Sequence, residues 1–118
     1  MNLREAKEIV KAEILWGDEL LEREIRTACG ADLLSDVLAF TKDKTLLLTG
    51  LTNVQVVKTA EISDMAAIVF VRGKYPATEL VELAKERQVP LLVTSLSMFE
   101  SCGRLHAAGL RGSGGEEL

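Results

Sequence analysis

Histidine occurs once, proline twice and cysteine twice in this 118-residue chain, and aromatic residues make up only 4% of it. These shortages close off several chemistries. Cys29 and Cys102 stand far apart, and with His106 as the lone histidine no spacing suits a zinc site. No Cys-x-x-Cys motif occurs, so both thiols are expected to be reduced and buried rather than paired for redox work. Neither Gly-x-x-x-x-Gly-Lys-Ser/Thr nor Gly-x-Gly-x-x-Gly is present, which removes the phosphate loop of kinases and the dinucleotide fingerprint. No apolar run is long enough to cross a bilayer. The first residues, Met-Asn-Leu-Arg-Glu-Ala-Lys-Glu, lack a signal-peptide apolar region, so a cytoplasmic location is expected. Lysine and arginine number 14 against 18 acidic residues, a net charge of −4 with no basic stripe for nucleic acid. No catalytic residue, metal or cofactor is expected.

What the chain does have is apolar content, 47%, arranged in alternating strand and helix patterns. Ala66 to Val71 is an unbroken apolar run, as suits a strand buried on both faces. Arg72-Gly73 breaks it, and Pro76 precedes a helix in which Leu80, Val81, Leu83 and Ala84 recur at helical spacing. Val89-Pro90 ends that helix, and Leu91 to Thr94 reads as a second buried strand. This strand, crossover helix and strand form the centre of the chain.

On the N-terminal side, residues 2–11 predict a helix with Leu3, Ala6, Ile9 and Val10 inward, and Glu13 to Trp16 a short strand stopped at Gly17-Asp18. Trp16 is expected to lie over the edge of the core. Glu22 to Cys29 predicts an edge strand. Asp32 is placed to cap a helix burying Leu33, Leu34, Val37 and Leu38. A turn at Lys42-Asp43-Lys44 leads to a buried strand, Thr45 to Thr49, and Asn53 can cap a helix carrying Val54, Val57, Ala60 and Ile62. Ser97 with Glu100 has the spacing of a capping box for a last helix whose apolar face is Met98, Phe99, Cys102 and Leu105, closed by Gly109. The expected fold is α/β: a small, open, mostly parallel sheet of about four main strands with helices on both faces. One domain is expected over residues 1–110, with 111–118 a flexible polar tail.

In open sheets of this kind ligands bind outside the carboxyl ends of the strands. Those ends carry Cys29 to Asp32, Thr49 to Asn53, Arg72 to Lys74, and Thr94 to Ser97. The candidate ligand residues are therefore Thr49, Gly50, Thr52, Asn53, Arg72, Gly73, Lys74, Thr94, Ser95 and Ser97. Two cations, several hydroxyls and helix N-termini on one rim suit a phosphorylated metabolite or nucleotide. The same residues are equally at home as helix caps, turns and solvated charges. Asp32 and Asp36 lie one helical turn apart, and no partner for His106 is apparent. No catalytic constellation emerges.

Asp32 to Leu38, Thr45 to Asn53, Ala67 to Gly73, and Val89 to Ser97 ending in Gly103-Arg-Leu105 together resemble the DRTGG domain, a module related to the N-terminal domain of HPr kinase/phosphorylase. The resemblance runs from about Leu3 to Gly109. The stretch in the place of the Asp-Arg-Thr-Gly-Gly signature reads Arg26-Thr-Ala-Cys-Gly30, and the kinase domain is absent. What the resemblance implies is an accessory module of the kind attached to phosphotransacetylases and regulated pyrophosphatases, which senses a ligand or holds subunits together. A mean hydropathy of +0.16 is high for so small a domain, and a two-fold homodimer is the commonest way to cover the surplus. The leading expectation is thus a non-catalytic regulatory or assembly module that dimerises and senses an anionic metabolite or nucleotide. The alternative is a protein-interaction subunit with no small ligand, and a phosphotransfer enzyme is the remote third.

Overall fold

A computed structural model of the chain describes residues 1–40 and 43–113. The elements run α1 (Leu3–Ile9), β1 (Glu13–Trp16), a 3₁₀ turn (Asp18–Leu20), β2 (Thr27–Gly30), α2 (Leu34–Phe40), β3 (Thr45–Thr49), α3 (Gln55–Ile62), β4 (Ala67–Phe70), α4 (Thr78–Arg87), β5 (Leu91–Val93), α5 (Met98–Ala107) and β6 (Arg111–Gly112). The six strands form one sheet in the order β1-β5-β4-β3-β2-β6. β2 to β6 are parallel, and only β1 is antiparallel, against β5.

The sheet thus has two strands more than the four expected. β1 was legible as a strand, but as an antiparallel edge it lies outside the strand–helix alternation. β6 begins at Arg111, in the stretch expected to be tail, and pairs Arg111 with Thr27 and Gly112 with Ala28. Only residues 114–118 of that tail lie outside the described residues. Lys42, the first residue of the expected turn, lies outside them too, while Asp43 and Lys44 do form a turn.

The strands alternate their side chains between two helical layers, as the period of two requires. Leu46, Leu48, Ala67, Val69 and Leu92 face α1 and α5, where Leu3, Ala6, Val10 and Leu105 complete one core. Leu47, Ile68, Phe70, Leu91 and Val93 face α2, α3 and α4, against Val37, Val56, Val57, Leu80 and Ala84. β3, β4 and β5 are buried throughout, as their unbroken apolar runs demand.

Three expectations about burial fail. Ile62, placed on the apolar face of α3 by spacing, is 74% exposed. Leu33 and Leu38 are 60% and 48% exposed, so α2 buries only one edge of its apolar stripe. Phe99, placed on the inner face of α5 by spacing, is 86% exposed. The capping motifs also differ in detail. Ser97 Oγ accepts from Glu100 N at 3.1 Å, but the Glu100 carboxylate turns to Arg104 instead of completing the box. The full box belongs to α1, where Asn2 and Glu5 exchange bonds of 2.9 Å.

Candidate functional site

Because β2 to β5 are parallel and in register, their carboxyl ends gather on one rim. Gly30 stands level with Leu48, Thr49 with Phe70, and Phe70 with Val93. All ten candidate residues lie at or after these ends, but their side chains are not equally free.

Thr49 and Thr94 are buried, and their hydroxyls are already committed. Thr49 Oγ1 donates to Asp32 Oδ1 at 2.9 Å and accepts from Leu51 N at 3.2 Å. Thr94 Oγ1 donates to Val10 O at 2.6 Å, across 84 residues of sequence, and accepts from Leu96 N at 3.1 Å. Both therefore hold the rim together and have no hydrogen left to offer a ligand. Asn53 Oδ1 takes Gln55 N at 3.0 Å in the turn before α3, but the N-cap of that helix is Val54 with no side-chain cap bond, whereas Ser97 caps α5 as expected. Gly50 N donates to Asp32 Oδ1 at 2.8 Å. Asp32 was expected to cap α2. Instead its carboxylate reaches across to Thr49 and Gly50 and ties the exit of β2 to the end of β3.

Arg72, Gly73, Lys74 and Ser95 remain exposed, with Thr52 half-buried beside them. Arg72 and Gly73 both take left-handed backbone, φ 58° and 66°, a conformation that costs a non-glycine residue about 1 kcal/mol or more. Their amides pay out that strain by donating to Leu96 O and Thr94 O, each at 2.8 Å. The loop after β4 is thereby clamped to the loop after β5. The side chains of Arg72 and Lys74 make no hydrogen bond or ion pair with any described residue. Arg23, at the opposite end of the sheet, shows the contrast: its guanidinium donates to Ala66 O and Gln88 O at 3.0 and 2.9 Å. An alanine Cβ at Gly50 would stand 3.9 Å from Lys74 Cδ and 3.6 Å from the Asp32 carboxylate, so the lysine stem passes over this glycine.

A cleft of about 270 Å³ lies on the other side of the same loop, lined by Lys11, Glu13, Gly73, Tyr75, Thr94 and Ser95. Tyr75 Oη donates to Glu13 Oε1 at 2.5 Å. That hydrogen bond, and the carboxylate charge behind it, hold the phenol above the ordinary tyrosine range. The raised value means the bond favours the folded state fully below the ordinary tyrosine pKa, and the gain is lost as pH rises through the higher one. Tyr75 is the only tyrosine, so its ionisation can be followed by absorbance near 295 nm. We expect a midpoint above that of free tyrosine, returning toward it in Glu13→Gln; an unchanged midpoint in that variant would rule out the bond.

A larger groove of about 470 Å³ lies elsewhere, between α5 and the β2–β6 edge, lined by Ala28, Gly30, Met98, Phe99, Cys102 and Leu105. An alanine Cβ at Gly30 would stand 2.7 Å from Cys102 Sγ and 2.9 Å from Met98 Sδ, so this helix packs directly on the glycine. Cys29 and Cys102 are both half-buried and free. Cys29 packs with the α2–α4 core while Cys102, on α5, lines the groove on the other side, so strand alternation turns Cys29 away from the face that α5 covers. Burial raises the pKa of each, as befits structural cysteines. Among the described residues no group of three or more His, Cys, Asp or Glu could hold a metal. No helix among them is long and apolar enough to cross a membrane.

The family model for the DRTGG domain matches residues 5–108. The chain belongs to the DRTGG domain family. Comparison with curated proteins gives no match. Among solved structures, the DRTGG fold is shared with the CBS and DRTGG domains of the regulatory region of a Clostridium perfringens pyrophosphatase, complexed with its activator diadenosine tetraphosphate. That match has a TM-score of 0.69 at 15% identity and covers 88% of this chain and 45% of the other, so this chain spans less than half of that one. In this DRTGG domain the stretch Arg26 to Gly30 runs into β2, and Gly30 is the glycine on which α5 packs. Lys11, Glu13 and Tyr75 escaped the sequence reading. The two from the chain's start reach the rim only because β1 runs antiparallel, and the one available hint was a lone tyrosine just before Pro76.

Proposed function

We propose that this DRTGG domain is a non-catalytic, cytoplasmic regulatory module that binds an anionic metabolite or nucleotide at the carboxyl rim of its sheet. The observation that carries the reading is the unspent pair of cations, Arg72 and Lys74, on a strained loop clamped by two backbone bonds. A loop held in left-handed backbone beside a ligand-accessible rim is where fixed charge is useful, because little ordering is needed on binding. The pyrophosphatase regulatory region that shares the fold was captured with a nucleotide activator, which supports a nucleotide as the first probe. Thr52, Gly50 and Ser95 border the cations and complete the proposed contact set, with Gly73, Asn53 and Ser97 shaping the loops. Thr49 and Thr94 act beneath it as structural ties.

Thermal-shift screening against nucleotides and phosphorylated metabolites tests this. A ligand present at about a hundred times its dissociation constant adds about 2.7 kcal/mol to stability. The shift should disappear in Arg72→Ala and Lys74→Ala. No shift with any compound would favour the protein-interaction reading.

The same proposal includes self-association. The exposed Phe99 beside the α5 groove and the surplus of apolar side chains are surface that a second copy would cover. Light scattering at micromolar concentration should give the mass of a dimer, and Phe99→Glu should shift it toward the monomer. A monomeric mass for the unaltered protein would remove this part of the proposal.

A further inference from the structure

The connections that leave β4 and β5 part company. The loop after β4 leads to α4, which packs on the face shared with α2 and α3, whereas the loop after β5 leads to α5 on the opposite face. Adjacent parallel strands whose connections diverge in this way open a crevice at their carboxyl ends, where open α/β sheets hold their ligands. In this chain that crevice falls between Phe70 and Val93. The two loops are bonded to each other there, Arg72 N to Leu96 O and Gly73 N to Thr94 O, and the 270 Å³ cleft lies on the β1 side of that clamp, bounded by Gly73 and Tyr75 from one loop and Val93, Thr94 and Ser95 from the other. β1, running antiparallel, brings Lys11 and Glu13 to the same place.

The chemistry of the lining is uneven in an informative way. Tyr75 is 61% exposed while its hydroxyl is held by Glu13, so the open part of the side chain is ring. A tyrosine fixed at its far end presents a π surface with little rotamer freedom left to lose. Gly73 has no side chain, and a Cβ added there would meet nothing within 4 Å, which leaves that wall open. Ser95 is exposed, and the side chain of Lys11, also exposed, makes no hydrogen bond or ion pair with a described residue. The cleft is slightly smaller than the range of about 300–1,000 Å³ typical of whole-ligand pockets, so it takes one ring system rather than a complete nucleotide. Arg72 and Lys74 lie on the same seven-residue connection, residues 71–77, as Tyr75, so the tyrosine and the cations are carried by one loop.

We infer that the β4–β5 cleft is a nucleobase subsite, in which the base stacks on Tyr75 with Lys11 and Ser95 at its polar edge. The inference rests on the rim reading above for the phosphate end of the ligand, and names the ligand class as a nucleotide rather than any phosphorylated compound. Base stacking on an aromatic side chain is commonly lost at a cost of about tenfold or more in affinity when the ring is removed.

The test uses the full chain with four probes: ATP, adenosine, guanosine and inorganic triphosphate. As the only tyrosine, Tyr75 gives ring resonances that can be read by NMR without ambiguity. ATP and at least one nucleoside should move those resonances, whereas triphosphate should bind without moving them. Tyr75→Ala should weaken ATP about tenfold and leave triphosphate affinity unchanged, while Tyr75→Phe, which keeps the ring, should bind ATP nearly as well as the unaltered protein. Equal affinity for ATP and triphosphate with still tyrosine resonances would overturn the nucleobase subsite and leave the anion site standing. A nucleoside that moves Tyr75 while triphosphate fails to bind would keep the subsite and overturn the anion site. Silence from all four probes would overturn both.

Discussion

Phe70→Ala should lower the stability of the domain by about 3–5 kcal/mol, the usual loss for a fully buried phenylalanine. Phe70 is the last residue of β4, in the middle of the sheet, and pairs with Thr49 on one side and Val93 on the other. It belongs to the core under α3 and α4 and is fully excluded from solvent. Removing the ring leaves a cavity that a three-layered sandwich cannot collapse around without shifting two helices. Against a total stability of about 5–15 kcal/mol for a domain of this size, the loss is large, roughly 10–20 °C in melting temperature. Phe70→Leu should recover more than half of it. Because Arg72 follows two residues later, the loop that carries the rim cations should also lose definition. Denaturant unfolding of the two variants checks the ordering, and a loss under 1 kcal/mol for Phe70→Ala would mean that the core is assigned wrongly.

Thr94→Val should cost almost as much, though it preserves shape and adds apolar surface. The substitution strands Val10 O and Leu96 N together, and each buried group left without a partner costs about 1–3 kcal/mol. Thr94→Ser keeps both bonds and should lose less than about 1 kcal/mol, since only a methyl group disappears. This pair separates a structural threonine from a ligand-binding one. A stable Thr94→Val protein that has lost only ligand affinity would reverse the role assigned to Thr94.

The difference between what could and could not be read from the sequence follows from the range of the interactions. Thr45 to Thr49, Ala67 to Phe70 and Leu91 to Val93 were legible because strands buried on both faces must be apolar at every position. The crossover helix Thr78–Arg87 was legible from its spacing, and the shared rim followed from the strand–helix alternation. β6 was not legible, because two residues, Arg111 and Gly112, carry no pattern. The exposure of Leu33, Leu38 and Phe99 was not legible either, since a helical stripe shows periodicity but not how much of it the neighbouring elements cover. The proposed site was half legible. Arg72 and Lys74 stood out because they follow a strand end. The internal commitments of Thr49 and Thr94 depend on Asp32 and Val10, residues brought close only by the finished fold. Lys11, Glu13 and Tyr75 meet for the same reason, across more than sixty residues.

Calorimetric titration of triphosphate into the unaltered domain and into the Arg72→Ala/Lys74→Ala variant, each at low and at high salt, puts the proposed anion site to its most direct test. Each charge-assisted bond contributes about 1.5–3 kcal/mol, so losing both cations should weaken binding a hundredfold or more, and added salt should weaken the unaltered protein far more than the variant. Binding of equal strength in both proteins, insensitive to salt, would contradict it.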